Sequence, residues 1–443
     1  MHIFKYFFFI FLPLFSQNDL INIQTLDSTQ IKLSLDSLLN KQNSISLEYH
    51  LKSYDIHNHI SNYKIKDSGK VADSLLLICD HYFHDRVIKQ ILQPFENIFI
   101  GEEYSALTEN LLEKYYFINN MPHFQYRLFG EQKLAALLFL KPEFNSSLTG
   151  SFSFSKINNQ LDFIGELDLD IENFSGNAEQ LKFFWKKNKN ISQKIKLRTF
   201  YPHVLGSEIG AFLEYDFENY NSFYIKREKK IMLHTFLRVL NNFKLGYLRG
   251  EILTTQSGQE SGYKNRDFLA ISLNSELDTR NDRLLPFSGK YFKLMVDGGI
   301  DEKEMYFKTN FEYQLFLHVF RNSYIKIQTV SHVIHYLDEP VPKSRYFKLG
   351  GSSSLRGVNE ESILKPQFHI FTIEFIQQQK RALQIKSFID LGSDRLNNFK
   401  EYIYGYGFGL KNVNDKIIFS IDYSLSSRSL ESGKIHFKWS ARL

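Results

Sequence analysis

Cysteine is almost absent from this chain: Cys79 stands alone among 443 residues. No intramolecular disulfide can form, so the fold is not a disulfide scaffold. Long apolar runs are missing as well. Past residue 16 nothing approaches the roughly 20 consecutive apolar residues that a membrane-spanning helix needs, so no helical membrane protein is encoded. Charge of one sign is not in marked excess: 54 Lys and Arg against 49 Asp and Glu leave a net +5. That excess is spread along the chain rather than gathered in a basic block, and it gives no case for nucleic acid as a partner. Catalytic arrangements are missing too. The glycine-rich run from Gly350 to Gly357 lacks the Gly-Lys-Ser/Thr ending of a phosphate loop. Serines 352 to 354 have no strand-elbow-helix context. His57 and His59 share a strand parity but have no third ligand, and His332 and His335 fall on opposite strand faces. The row Glu166, Asp168, Asp170 and Glu172 reads as the wet face of a strand. The expectation is a protein that is not an enzyme, with no catalytic residue, no metal and no cofactor.

Aromatic residues, by contrast, are abundant. There are 42 Phe and 25 Tyr, and aromatics make up 16% of the chain, yet the mean hydropathy is slightly negative. Two alternating faces average to that value. From about Ser147 to the end the dominant period is two. Leu167, Leu169 and Ile171 alternate with the carboxylate row; Ile195 and Leu197 alternate with Lys194, Lys196 and Arg198; Ile417, Phe419, Ile421, Tyr423 and Leu425 alternate with Ser420, Asp422 and Ser424. Such strands recur over about 300 residues without an interleaved helical pattern, which favours a closed membrane barrel over a soluble sandwich. Sixteen strands are expected, starting near residues 148, 161, 178, 192, 209, 221, 243, 267, 289, 303, 322, 366, 383, 400, 416 and 433. The stretch from Ser222 to Val239 is read as one long strand interrupted by its charged run from Lys226 to Lys230, with two strands as the alternative. The final strand carries Ile435, Phe437, Trp439, Ala441 and Leu443 on one parity and must close against the first, because an open edge in lipid leaves backbone groups unpaired.

Residues 1–16 read as a secretory signal, with Lys5, an apolar core from Tyr6 to Phe15, and the small Ser16. Residues 17–76 form a segment of uncertain fold, with one short alternating run around Ile45 to Leu51. In residues 77–142, Arg86 to Leu92 reads as a strand. Ser105 to Asn119 reads as a helix with Leu107, Leu111, Leu112 and Tyr115 at helical spacing, and Phe124 to Phe129 with Lys133 to Leu140 as two strands about Gly130, Glu131 and Gln132. A small α+β unit outside the membrane follows.

The longest connection, residues 334–365, carries Gly350, Gly351, Leu355, Arg356, Gly357 and Val358. Glycines there admit backbone angles that other residues avoid and permit close approach to another surface. An arginine never loses its charge, so Arg356 needs a carboxylate if it is desolvated. Phe388-Ile-Asp390-Leu-Gly392 follows, and Glu374 lies on the strand just after the loop. Beyond it Tyr402, Tyr404, Tyr406 and Phe408 alternate with a bare stripe of Gly405, Gly407 and Gly409. Asp278 and Arg280, followed by Pro286 and Gly289, stand at an earlier strand and turn.

These three motifs, standing along the chain in the order 278–289, 355–358 and 388–392, resemble the outer-membrane assembly and secretion superfamily of the BamA/TamA type (bacterial surface antigens), which includes the two-partner-secretion transporters. The Leu355-Arg356-Gly357-Val358 run is similar to that family's lumen-loop motif, the Phe388, Asp390 and Gly392 set to the strand motif that holds the loop arginine, and the Asp278, Arg280, Pro286, Gly289 set to its strand-turn signature. The resemblance implies an all-β membrane protein: a 16-stranded antiparallel transmembrane β-barrel at residues 143–443, whose sixth external loop folds into the lumen. It further implies an N-terminal periplasmic α+β part with a POTRA-like domain at 77–142, and 17–76 as a segment of uncertain fold or a degenerate second copy. The implied role is insertion of outer-membrane proteins or translocation of a partner polypeptide. The implied partners are outer-membrane lipid, client outer-membrane or secreted polypeptides, and periplasmic chaperones or accessory proteins. A passive outer-membrane pore or receptor, and a soluble secreted β protein with a binding role, are the alternatives.

Overall fold

The computed structural model describes residues 20–24, 28–41, 47–55, 57–58, 60–67, 71–96, 104–129, 133–157, 160–187, 192–235, 242–351, 354–380, 382–395, 402–414, 416–427 and 429–443. The signal-like residues 1–16, Gly130, Glu131 and Gln132, and Ile45, Ser46, His59, Ser352 and Ser353 lie outside them.

The N-terminal part holds two small sheets. In the first, β1 (Leu20–Gln24), α1 (Ser28–Lys41), β2 (Leu47–Asp55) and β3 (Ile60–Asp67) give a three-stranded antiparallel sheet in the order β1-β3-β2. In the second, β4 (Ser74–Ile78), α2 (Asp85–Leu92), α3 (Ser105–Lys114), β5 (His123–Phe129) and β6 (Lys133–Phe139) follow in sequence, and the sheet order is β4-β6-β5 with β4 parallel to β6. The expected strand over Arg86 to Leu92 is instead helix α2. Phe83, Val87, Gln90 and Ile91 are buried at helical spacing while Arg86, Lys89 and Gln93 face out. Over so short a run two hydrophobic periods compete, and the 3.6-residue one prevails. The unit's first strand lies earlier, at β4, across the boundary drawn near residue 76.

From Ser147 the chain is a closed antiparallel barrel of sixteen strands. They are β7 (Ser147–Ile157), β8 (Gln160–Glu172), β9 (Gln180–Lys187), β10 (Gln193–Tyr201), β11 (Gly210–Tyr220), β12 (Tyr224–Thr235), β13 (Phe243–Thr254), β14 (Arg266–Asp278), β15 (Gly289–Asp301), β16 (Glu304–Phe320) and β17 (Ser323–Tyr336). A long connection bearing the short hairpin β18 (Phe347–Leu349) and β19 (Ile363–Lys365) follows, then β20 (Gln367–Lys380), β21 (Leu383–Ser393), β22 (Ile403–Val413), β23 (Ile417–Ser426) and β24 (Ser429–Arg442). The largest displacement from the expected starts is at the last strand, which begins at 429 rather than near 433. Among the described residues no helix is long and apolar enough to cross a membrane.

Alternation sorts the side chains. Ile231, Leu233, Leu245, Tyr247, Ile271, Phe371, Ile373, Ile389, Tyr404, Phe408, Ile435 and Phe437 point outward and are exposed, as a lipid-facing band requires. The opposite parity carries charge into the interior, where burial is tolerable only in pairs. Lys196 meets Asp216 at 3.1 Å, Arg198 meets Glu214 at 2.6 Å, and Lys230 meets Asp297 at 3.0 Å. The carboxylate row is used in the same way: Asp170 pairs with Lys182 at 2.6 Å and Glu172 with Arg283 at 2.9 Å.

Candidate functional site

Two strands of the wall prepare the place where the long connection meets the barrel interior. On β21 the residues Phe388, Asp390 and Gly392 share the inward parity, and on β20 Thr372 and Glu374 do, so that Asp390 lies opposite Thr372 and Phe388 opposite Glu374 in the register. The connection drops Arg356 onto them. Its Nε and Nη2 donate to the two oxygens of Asp390 at 2.7 Å each, a two-pronged match of fork to carboxylate. Nη1 donates to Glu374 Oε1 at 2.7 Å, and the backbone N–H of Arg356 reaches Asp390 at 3.3 Å. Thr372 Oγ1 donates to Asp390 at 2.8 Å. The guanidinium lies 3.4 Å from the centroid of the Phe388 ring, which adds a cation–π contact.

Asp390 is fully buried, and Leu355 and Val358 on either side of Arg356 are buried as well. Lys326 is 3.6 Å from Glu374 and Lys386 is 2.9 Å from Asp422, which itself is 3.8 Å from Arg356. Arg356, Lys326 and Lys386 thus face Asp390, Glu374 and Asp422, so each of these buried charges has an opposite one within 4 Å.

The glycines divide the remaining work. At Gly405 a Cβ would fall 2.0 Å from Arg356 O, so the loop backbone lies directly on that residue. Gly357, with φ +84°, would put a Cβ 2.5 Å from Leu425 O, on the adjoining strand. Gly407 and Gly409 do something else. A Cβ at Gly407 would fall 2.0 Å from Tyr423 O on β23 and 2.9 Å from the Phe388 ring, and one at Gly409 would strike Asp422 at 2.0 Å and Lys386 at 2.6 Å. The stripe therefore receives the loop at one position and makes room for the ring and ion pair beneath Arg356 at the other two. Gly350 and Gly351 both have positive φ, with the space for a Cβ taken by Asn359 O and the Glu360 carboxylate.

The earlier strand-turn set sits at the β14–β15 turn. Arg280 binds Asp278 through Nε at 2.8 Å and Nη2 at 2.6 Å and lies 4.8 Å over the Tyr291 ring. Gly289 has φ +96°, and a Cβ there would meet Thr279 O at 2.1 Å. Arg280 and Pro286 line the same interior cavity, about 360 Å³, as Arg356 and Glu374. One space thus brings together the turn and the loop.

A family model, the Omp85 superfamily domain, matches residues 131–437. The chain belongs to the Omp85 superfamily. Its fold is similar to that of Haemophilus ducreyi BamA lacking POTRA domains 1–3, at 12% identity and a TM-score of 0.54, with 94% of each chain covered. It is similar as well to CdiB from Acinetobacter baumannii, at 13% identity and a TM-score of 0.54, covering 93% of this chain and 80% of that one. CdiB from Escherichia coli aligns at 11% identity and a TM-score of 0.54, covering 94% and 84%. No curated protein sequence matches the chain. An Omp85 barrel is a protein of the outer membrane, and the sixteen-stranded wall meets that setting.

Three residues of this Omp85 barrel escaped the sequence reading. Arg283 donates to Glu172 and to the carbonyl of Glu143 at 2.8 Å, and its guanidinium lies 5.5 Å from the Tyr116 ring centroid. Arg345 and Lys348 tie the loop to a different part of the wall. All three are partnered by residues more than a hundred positions away or by several strands at once, and no local pattern signals such partners.

Proposed function

We propose that this Omp85 chain inserts outer-membrane proteins into the membrane or passes a partner polypeptide across it, with the connection between β17 and β20 acting as a lumen plug held by Arg356, Asp390 and Glu374. The observation that carries this reading is the buried Arg356 cluster, in which one guanidinium binds both Asp390 and Glu374. A loop that merely narrowed a channel would not need Arg356 matched by two buried carboxylates and a ring, with glycines cleared on the facing strand.

The N-terminal part is read as periplasmic. The strand-helix-helix-strand-strand order of residues 74–139 supports a POTRA-like domain there, and residues 20–67 a reduced second one. Their sheet edges would take up client strands by backbone pairing. The seam between β24 and β7 supports a lateral route: its register holds only Ser440 with Thr149, Ala441 with Leu148, and Arg442 with Ser147, whereas β15 and β16 pair from Gly289 with Phe316 through Asp301 with Glu304.

The test is substitution of the plug anchor. Arg356→Ala and Asp390→Ala should lower client assembly or secretion while the barrel still reaches the outer membrane in its heat-modifiable form. Undiminished client levels accompanied by altered ion conductance would replace this reading with that of a passive pore.

A further inference from the structure

The loop carries a second buried guanidinium, eleven residues before the first. Arg345 ends the 3-10 turn Lys343–Arg345, and its side chain is 2% exposed. The guanidinium carbon lies 3.6 Å from the centroid of the Phe268 ring on β14 and 4.7 Å from that of Tyr306 on β16. Glu228 on β12 and Asp301 on β15 each approach to 3.6 Å, and Asp301 accepts a hydrogen bond from Tyr336 of β17. Three residues on, Lys348 Nζ is 2.5 Å from Glu218 of β11 and 3.5 Å from the centroid of the Tyr220 ring. Arg345 is thus held between two aromatic faces and two carboxylates, which it shares with Lys226 at 2.8 Å from Glu228 and Arg266 at 3.9 Å from Asp301.

Arg345 and Arg356 therefore grip different walls, β11 to β17 in one case and β20 to β23 in the other. The apolar packing divides in the same way. Around Arg345, Phe268, Tyr306, Ile334 and Tyr336 form one cluster, with Val341 of the loop laid against it. Around Arg356, the loop residues Leu349, Leu355, Val358 and Ile363 pack with Phe368, Ile370 and Ile403. Phe347 packs against both. A segment with two anchors, each in its own apolar cluster and joined through one shared ring, can open locally at either end.

We propose that Arg345 is a positioning residue that forms a second latch for the loop, opening independently of the Arg356–Asp390 latch. The half of the loop around residue 345 can leave its wall while the half around 356 stays, and the reverse. This deepens the plug reading and rests on it.

Thiol accessibility in the full-length chain tests it. With Cys79→Ser as background, Ser344→Cys and Val358→Cys place one buried thiol beside each latch, and a charged, water-soluble maleimide reports opening. Arg345→Gln should speed labelling at 344 by about tenfold or more and leave 358 within about twofold, and Arg356→Gln should do the opposite. A general loosening of the barrel would speed both positions, and a single shared latch would make either variant open both. Each of these results overturns the proposal, as does unchanged labelling at 344 in Arg345→Gln. Should that variant lose heat-modifiable mobility, Phe268→Leu removes the ring and keeps the charge, with the same expected pattern. The readout is labelling rather than client handling, so the two latches are tested even in a barrel that handles no client.

Discussion

Arg356 is bound by more acceptors than a single carboxylate supplies, and this sets what each substitution should do. Asp390→Ala leaves a buried guanidinium with Glu374 as its direct partner and Thr372 without its acceptor, so we expect a loss of about 3 to 5 kcal/mol, read as a lower urea midpoint for the heat-modifiable form. The double variant with Arg356→Ala should lose less than the two single losses added, since the second removal strands no charge. Arg356→Lys should behave more like Arg356→Ala than like the parent, because an ammonium cannot span both oxygens of Asp390 and also reach Glu374. Away from the membrane-spanning strands a titrating pair behaves differently. His203, in the β10–β11 connection, receives the Tyr115 hydroxyl at Nε2 at 2.8 Å and holds Ser207 O at 2.8 Å through Nδ1. Burial, helped by nearby Lys114 and opposed by Glu208, pushes its pKa down to about 4. The unfolded imidazole titrates near 6.5. Between those values the unfolded state binds the extra proton, so stability falls as pH drops through that window and levels off below it. Protection factors of residues 108–118 and 203–209, taken relative to intrinsic exchange at each pH, should fall from pH 6.5 towards 4, and His203→Gln should flatten that dependence.

At the scale of single elements, glycines on the same wall are expected to differ in their tolerance of a methyl group. Gly405→Ala would drive a Cβ into Arg356 O and should lift the loop from β22, raising maleimide access to Val358→Cys as Arg356→Gln does. Gly298→Ala on β15 meets Phe307 at 3.4 Å, an ordinary contact, and should leave access unchanged. The strands themselves were legible in the sequence because a wall with lipid on one side and paired charge on the other forces period two over many residues. Leu245 and Tyr247 facing out between Lys244, Gly246 and Leu248 facing in could not be shifted by one residue without inverting both faces. Helix α2 was not legible as a helix, because a run of seven residues contains too few turns for Val87 and Ile91 to outvote a strand pattern. In the lumen loop, Arg356 could be matched with Asp390 through the family motifs that hold them. Arg345 could not, since Phe268, Tyr306, Glu228 and Asp301 come from four strands whose proximity exists only once the barrel has closed.

For the molecule as a whole, closure is also where the wall is thinnest. Every other neighbouring pair of barrel strands is zipped over at least eight residues, the shortest being β9 with β10 and β8 with β9, while β24 meets β7 at three. A barrel in lipid has no water to satisfy backbone groups left unpaired along a seam, so a short seam is tolerated at a cost and is the place where the wall would part first. Thr149 and Ser440 face each other there, their hydroxyls hydrogen-bonded. Replacing both with cysteine, with Cys79→Ser to prevent mispairing, lets an oxidant lock the seam and a reductant release it. If clients pass through this opening, the oxidised barrel should lose client assembly or secretion and regain it on reduction, with its heat-modifiable mobility unchanged throughout. A locked barrel that handles clients at the rate of the reduced one would place their path elsewhere, down the lumen past the loop. In that case the two arginine anchors, rather than the seam, would be the elements that must yield.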